Sequence, residues 1–324
     1  MTKIFKTILL PIYLLAAVTS CKKESTFVQK AGEIKVCINK IVDHEALNET
    51  VRGITDTLQA SGRAFKVTVE SSQGNAILAR QLTDKYIGQG ANVIIGIGTV
   101  AAQSFIRYAN DGQTRLVFSS VTDPKAAGLT GKPQVSGVSN FVEIAPQIDL
   151  FLEILPTLKR LGFLYNPGEA NSVALISDLK NVLTQKGITL VLQAATKTSE
   201  VQQAMENLVS KVDAVFISND NTALSAFKCI VNVATKNKIP VFVSDTDIVY
   251  KGAIAALGPN QYKIGVQTAN LVLEQHSSKA FISKIEYPRS EDTLLVVNQD
   301  AAQKCGIVLA DSVLKKAQKV LKAT

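Results

Sequence analysis

The stretch Asn92-Val-Ile-Ile-Gly-Ile-Gly-Thr99 contains an apolar run that ends in two glycines and a threonine. A short apolar run without polar alternation is typical of a strand buried on both faces, as in a parallel sheet. Gly98 lets the backbone turn sharply, and Thr99 can cap a helix that its periodicity predicts over 100–109. The stretch therefore predicts a strand–turn–helix unit.

Similar units recur along the chain and predict an α/β protein with parallel sheets, because strands alternate with helices of 10–15 residues. Further strands are predicted at 34–41, 65–71, 115–120, 158–165, 189–194, 213–217 and 240–243. Two arrays, 34–140 and about 142–257, indicate two lobes of similar topology. Beyond them, the sequence predicts a strand near 294–297 and a Lys-rich helix over 311–321.

Composition and charge exclude some classes of protein. The 324 residues suffice for two domains, and 46% hydrophobic with 19% charged residues argues against disorder. The net charge of +8 comes from scattered basic residues without a block of five or six like charges. A nucleic-acid-binding face needs clustered charge, so no nucleic-acid partner is expected.

Residues 1–21 have the pattern of an export signal. Lys3 and Lys6 precede an apolar run over 8–18, which is short for a membrane span. The run leads to Val18-Thr19-Ser20-Cys21, which resembles the bacterial lipobox and predicts lipidation of Cys21, with 22–33 as a polar tether. The alternative is an ordinary signal peptide with an incidental cysteine. We expect an extracytoplasmic protein of the bacterial envelope, lipid-anchored to a membrane.

The other three cysteines do not predict a metal site or a disulfide framework. They are far apart in sequence, and no CxxC pair occurs. Cys37 in a strand and Cys229 in a helical run are predicted to be small buried side chains.

An enzymatic alternative rests on Gly96-x-Gly98-x-x-Ala101, which matches a relaxed dinucleotide fingerprint with Asp123 placed for a ribose hydroxyl. That fingerprint belongs in the first βα unit, and here a full βαβ unit precedes it. The sequence has no G-x-S-x-G elbow, no phosphate loop and only two histidines. We therefore expect no enzyme and no cofactor, with a nicotinamide-dependent oxidoreductase as the alternative.

Polar side chains at the predicted strand ends form the candidate ligand site. In parallel sheets these ends converge on the crevice where ligands bind. Thr99 and Ser172, at helix N-termini, are candidates for a carboxylate, and Asp123 and Asp220 for an ammonium. Any one of these residues could instead be a helix cap or a turn residue. The remaining candidates are His44, Thr122, Asn166, Glu169, Asn171, Asn221, Ser244 and Asp245.

Over about 34–307 the sequence resembles the substrate-binding lipoproteins of ABC importers, in particular the TrpX-like, tryptophan-binding group. The motifs that carry the resemblance are Ile41-Val-Asp-His-Glu-Ala-Leu47, Val121-Thr-Asp-Pro124, Ala127-Gly-Leu129, Tyr165-Asn-Pro-Gly-Glu-Ala-Asn-Ser172, Asp220-Asn221 and Ser244-Asp245. The chain departs from the usual pattern at Glu45 and Asn48, where the group has proline and aspartate. Ser119 and Ser120 stand where it usually has alanines, and both departures bear on ligand identity.

The resemblance implies a type I periplasmic-binding-protein fold, with two Rossmann-like lobes, a three-stranded hinge and a ligand in the cleft. One lobe would comprise 34–140 plus about 260–283, and the other 142–257 plus about 286–324. It implies a monomeric receptor that captures an amino acid or related metabolite and delivers it to a permease driven by a cytoplasmic ATPase. A receptor that senses its ligand without transport is the other alternative.

Overall fold

The computed structural model describes residues 32–110, 112–278 and 280–322. The predicted leader 1–21, its lipidation site Cys21 and nearly all of the predicted tether lie outside the described residues. The strands are β1 (Ile34–Lys40), β2 (Phe65–Ser71), β3 (Val93–Ile97), β4 (Arg115–Val121), β5 (Val135–Ser139), β6 (Arg160–Tyr165), β7 (Thr189–Ala194), β8 (Ala214–Ile217), β9 (Val241–Val243), β10 (Ala255–Pro259), β11 (Ile285–Glu286), β12 (Thr293–Asn298) and β13 (Lys319–Leu321).

Helices connect most of these strands. They are α1 (Glu45–Ala60), α2 (Ala76–Gly88), α3 (Thr99–Gln103), α4 (Ile144–Ile154), α5 (Ala170–Gln185), α6 (Val201–Val209), α7 (Asn221–Ser225), α8 (Phe227–Lys236), α9 (Gln261–Ser277), α10 (Gln299–Lys304) and α11 (Asp311–Lys316). A 3₁₀ segment, Thr246–Lys251, follows β9. Among the described residues, no helix combines the length and apolar character needed to cross a membrane.

Two sheets organise the chain. The first has the strand order β11-β5-β4-β3-β1-β2 and is parallel throughout. The second has the order β13-β12-β10-β9-β8-β6-β7, in which β10 and β12 alone pair antiparallel. This architecture confirms the predicted α/β class with two parallel-dominated sheets.

The chain passes between the sheets three times: from β5 to β6, from β10 to β11 and from β11 to β12. Helix α9, on the second of these connections, packs against α1, β4 and β5 of the first sheet. Strand β12 then pairs with β10 in the second sheet.

Strand β3 shows why the apolar run does not alternate. It lies between β1 and β4, and all five of its residues are buried. Ile95 and Ile97 pack into a core that includes residues of α1 and α9, whereas Ile94 packs on the other face with residues of α2 and α3. Both faces of the strand are covered by helices, which demands apolar residues at successive positions.

Helices α1 and α9 approach each other backbone to backbone through two glycines. A Cβ at Gly53 would lie 2.1 Å from the carbonyl oxygen of Tyr262, and one at Gly265 would lie 2.2 Å from the carbonyl oxygen of Thr50. Only glycine permits this approach, which holds α9 against the first sheet.

Several predicted elements differ from the structure. The helix expected over 100–109 ends at Gln103, and the one expected to run to Asn237 breaks at Ala226 between α7 and α8. The helix expected over 311–321 ends at Lys316, after which Lys319–Leu321 pairs with β12. Cys37 is buried as predicted, but Cys229 is exposed on α8, because it falls on the outer face of that helix.

Candidate ligand-binding site

A tight turn after β3 and an irregular residue near the end of β4 border the candidate site. Gly98 has φ +87°, and a Cβ there would lie 2.6 Å from Cγ2 of Ile41. Ser120 has φ +52°, a conformation uncommon for a residue with a side chain, next to a register shift between β4 and β5. Strained residues of this kind cluster at functional sites.

Gly98 and Ser120 line a pocket between the two sheets. The cavity has a volume of about 10 Å³, room for about one water molecule, so the pocket is nearly closed to a solute. The lining residues that precede β6 or belong to α9 are His44, Ala46, Leu47, Gly98, Thr99, Ser120, Thr122, Asn140 and Gln261. The lining residues between β6 and β9 are Asn171, Asn219, Asn221 and Leu224.

Several buried polar atoms without a hydrogen-bond partner lie on this pocket, and others lie elsewhere, for example on Gln134 and Asp245. Those on the pocket are Oγ1 of Thr99, Oδ1 of Asn171 and both ring nitrogens of His44, although Asn221 lies close enough to that ring to affect its pKa. Nearly all buried polar groups in folded proteins are hydrogen-bonded, because leaving one unpaired costs about 1–3 kcal/mol. These polar atoms on one pocket are therefore available to bond with a solute or with water.

The pocket is electrically neutral. Its lining contains no Asp, Glu, Lys or Arg. Burial lowers the pKa of His44 to about 4, and the neighbouring Asn221 offsets only part of that effect. The imidazole is therefore uncharged at neutral pH, with one nitrogen able to donate and the other to accept.

Two carboxylates beside the pocket are saturated by protein donors. Glu169 accepts from the backbone N–H and Nδ2 of Asn221 (2.9 and 2.7 Å) and from the backbone N–H and Oγ1 of Thr222 (2.9 and 2.8 Å). Asp220 accepts from the backbone N–H of Asn166 and Oγ of Ser172 at Oδ2, and from the backbone N–H of Ala223 at Oδ1. These bonds tie the start of α5 to the start of α7.

The structure brings five of the predicted site residues to the pocket: His44, Thr99, Thr122, Asn171 and Asn221. Asn166 and Glu169 line an adjacent, wider cavity that shares Asn221 with it. Asn221, at the start of α7, therefore borders both the pocket and the adjacent cavity.

The other five do not line the pocket, and each has a polar atom bonded within the protein, although Oδ2 of Asp245 is buried without a partner. Asp220 and Ser172 bond to each other at 2.6 Å, so Ser172 has no hydroxyl proton left for a carboxylate. Asp123 accepts from the backbone N–H of Ala126, Ser244 donates to Gln147, and Asp245 accepts from the backbone N–H of Asp247. Asp123 and Asp220, the two residues predicted to meet an ammonium, therefore lie outside the pocket lining.

Sequence reasoning missed several lining residues, among them Gln261, Asn140, Asn219 and Leu224. Gln261 follows a predicted strand and opens a helix, as Thr99 does, and this position was the one available signal. The hydroxyl of Ser120, noted only as a departure from the family pattern, proves to be a lining group.

The glycines of the dinucleotide fingerprint have packing roles. A Cβ at Gly96 would lie 2.6 Å from Cα of Ala102, so this glycine lets α3 sit directly on β3. Asp123 bonds inside its own turn. No group of three metal-ligating side chains occurs in the part of the chain that the structure describes.

Contacts between α1 and the 3₁₀ segment close the cleft on a second side. Oε1 of Glu45 accepts from Oη of Tyr250 at 2.8 Å, and Oε2 of Glu45 lies 2.5 Å from Nζ of Lys251. Asp245 is fully buried at the start of the same segment, and Asp247 lies close by. Burial, reinforced by the charge of Asp247, raises the pKa of Asp245 to about 7.

Replacing Asp245 with asparagine should therefore flatten the pH dependence of stability. A folded-state pKa raised above the unfolded value gives stability that is complete below pH about 4 and lost as the pH rises through about 7. The variant keeps an amide oxygen for the backbone N–H of Asp247. We expect its free energy of unfolding at pH 8 to exceed that of the wild type by about 2–4 kcal/mol, with little gain at pH 4.

Urea denaturation across this pH range measures the effect, with Asp178→Asn on the exposed face of α5 as the matched control. If the free energy of unfolding of Asp245→Asn depends on pH as steeply as that of the wild type, the pKa of Asp245 is not raised by the fold.

Two parallel-dominated sheets, three chain crossings and a neutral pocket between the sheets are the architecture expected of a solute-binding protein. Residues 35–321 match the model of a family described as ABC transporter substrate binding protein, and the chain belongs to this family. Its fold is that of the type I periplasmic binding proteins.

Three similar proteins extend the comparison. A crystal structure of a conserved domain protein from Vibrio cholerae is 35% identical, covers 89% of this chain and 99% of its own, and has a TM-score of 0.84. An ABC domain from Streptococcus pneumonia, in complex with L-Trp, is 26% identical with coverage of 89% and 100% and a TM-score of 0.84. A tyrosine-binding protein from Clostridioides difficile is 26% identical over 87% of this chain and 84% of its own.

Proposed function

We propose that this chain is the solute receptor of an ABC importer and that it captures an amino acid or a related metabolite in the pocket between the sheets. The observation that carries the proposal is the set of unpaired buried polar atoms on His44, Thr99 and Asn171, drawn from both sides of one pocket. The ligands named for the two 26% identical relatives, tryptophan and tyrosine, support the choice of amino acids.

Capture requires the cleft to open, because the pocket as it stands is nearly shut. The contacts of Glu45 with Tyr250 and Lys251 would form and break with this motion. A bound molecule that contacts both sides favours the closed arrangement, which a permease can then distinguish from the empty receptor.

Delivery to a permease and attachment to a membrane through Cys21 are parts of the same proposal. The lipobox-like Val18-Thr19-Ser20-Cys21 supports the anchor. In cells that express the full chain, Cys21→Ser should abolish the incorporation of labelled fatty acid into the protein. Fatty-acid labelling of the variant equal to that of the wild type would contradict anchoring through this residue.

Ligand binding is tested by thermal-shift screening and calorimetry of the chain from residue 22 onward against the twenty amino acids. We expect one or a few, with L-tyrosine and L-tryptophan as leading candidates, to bind with a Kd of about 1 μM or tighter, which corresponds to about 8 kcal/mol. Thr99→Val should weaken that affinity about three- to tenfold, because it removes one hydrogen bond and preserves shape.

Thr184→Val, on the exposed face of α5, is the matched control and should bind as the wild type does. If no amino acid raises the melting temperature, the proposed ligand class is wrong.

A further inference from the structure

The side-chain amide of Gln261 meets two buried hydroxyls. Its Oε1 accepts from Oγ of Ser120 at 3.0 Å and lies 3.1 Å from Oγ1 of Thr50, whose single proton also has the carbonyl oxygen of Ala46 within 3.1 Å. The two hydroxyls lie 3.2 Å apart. All three side chains are buried. Among the described residues, Nε2 of Gln261 makes no hydrogen bond, and Gln261 lines the pocket. The residue therefore presents an N–H donor to the pocket.

Asn171, on the opposite side, has the reverse orientation. Its Nδ2 donates to the carbonyl oxygen of Asn219 at 2.9 Å, which leaves Oδ1 buried and without a partner. The side chain is 4% exposed and lines the same pocket. Asn171 therefore presents an acceptor.

No charged side chain lines the pocket, and the nearby carboxylates of Glu169 and Asp220 already accept four and three hydrogen bonds. The charges of a zwitterion would have to be met by neutral dipoles. A hydrogen bond between a neutral and a charged group contributes about 1.5–3 kcal/mol, which makes such recognition feasible.

We propose that Gln261 and Asn171 distinguish the two ends of an amino-acid ligand: Nε2 of Gln261 donates to the carboxylate, and Oδ1 of Asn171 accepts from the ammonium. This assignment rests on the proposed function. Because the two amides stand on opposite sides, a molecule that carries both charged groups links them, and a molecule with one group engages a single side. The pair thus explains how an uncharged pocket selects a zwitterion.

Ser120 is a positioning residue in this arrangement. Its backbone has φ +52° beside the strand irregularity, and its hydroxyl donates to Oε1 of Gln261, which directs the amide nitrogen away from this hydroxyl. Ser120→Ala keeps a Cβ, and so the same backbone demand, but removes that bond. We expect it to weaken binding of the carboxylate end alone, about three- to tenfold.

The test pairs two uncharged, near-isosteric variants with three probes. L-tyrosine carries both charged groups, 3-(4-hydroxyphenyl)propionate lacks the ammonium, and tyramine lacks the carboxylate; L-tryptophan, indole-3-propionate and tryptamine form the equivalent series. Gln261→Met should weaken the amino acid and the acid about tenfold or more and leave the amine unchanged. Asn171→Leu should weaken the amino acid and the amine and leave the acid unchanged.

A loss that is equal for acid and amine, or the reverse pairing, would overturn the proposal, as would wild-type affinity for the amino acid in either variant. The affinity of each variant for the amino acid therefore tests the proposal even where the acid and the amine bind too weakly to measure. Melting temperatures without ligand identify a variant that fails to fold, and Ser120→Ala then tests the carboxylate end. Failure of the wild type to bind any amino acid would instead refute the proposed function together with this assignment.

Discussion

Replacing Glu169 with alanine is expected to destabilise the folded protein by about 3–5 kcal/mol. The side chain is 6% exposed and accepts four hydrogen bonds from Asn221 and Thr222. Its removal leaves two backbone N–H groups at the start of α7 unpaired in a partly buried position, and each unpaired group costs about 1–3 kcal/mol. Ligand affinity should fall as well, because Asn221 lines the pocket and loses its anchor.

Urea denaturation at pH 7 measures the stability change, and calorimetry with the ligand found in the screen measures the affinity. Glu206→Ala is the control, since Glu206 is exposed on α6 and bonds only to Gln202 within that helix. It should change stability by about 0.5 kcal/mol or less. If Glu169→Ala is as stable as this control, the saturated carboxylate is not what holds α5 and α7 together.

Replacing Gly53 with alanine should destabilise the protein by about 3 kcal/mol or more, even though alanine favours helices by about 1 kcal/mol over glycine. The added Cβ would lie 2.1 Å from a carbonyl oxygen of α9, an atom that cannot rotate away as a side chain can. The two helices must therefore separate, and overpacking of this kind typically costs about 1–3 kcal/mol before the lost contacts are counted.

Gly88→Ala at the end of α2 is the matched control, because no atom lies within 4 Å of its Cβ position. We expect it to be neutral or slightly stabilising in the same denaturation measurement. Separation of α1 from α9 also displaces Thr50 from Gln261, so Gly53→Ala should bind ligand more weakly at temperatures where it remains folded. If Gly53→Ala has the same free energy of unfolding as the wild type, the close approach of α1 and α9 does not contribute to stability.

The sequence predicts most of the sheet architecture because the signal is local. An apolar run such as Val93–Ile97 can be stable only where both faces are covered, and glycine and small polar residues mark its end. The segment after Lys316 shows the limit of such reasoning. Its lysines favour a helix, but Val320 pairs with Val297 of β12, a contact that depends on a strand more than twenty residues away.

The sequence predicted where in the fold the candidate site lies, but it predicted only some of the side chains that line it. Aspartates after strands, such as Asp220, fit both a ligand contact and a helix cap, and the sequence does not show where the carboxylate oxygens point. The unpaired state of Oδ1 of Asn171 follows from a bond of Nδ2 to Asn219, about fifty residues further along the chain. Such roles become visible only when the fold brings distant loops together.

The three passages of the chain between the sheets have a mechanical consequence. A single linker would let two bodies twist and swing freely, whereas three connections restrict such movements. Under the proposed function, solute bound at either wall would then produce a similar relative displacement of the two sheets. A permease that docks with the receptor would need to detect that one displacement.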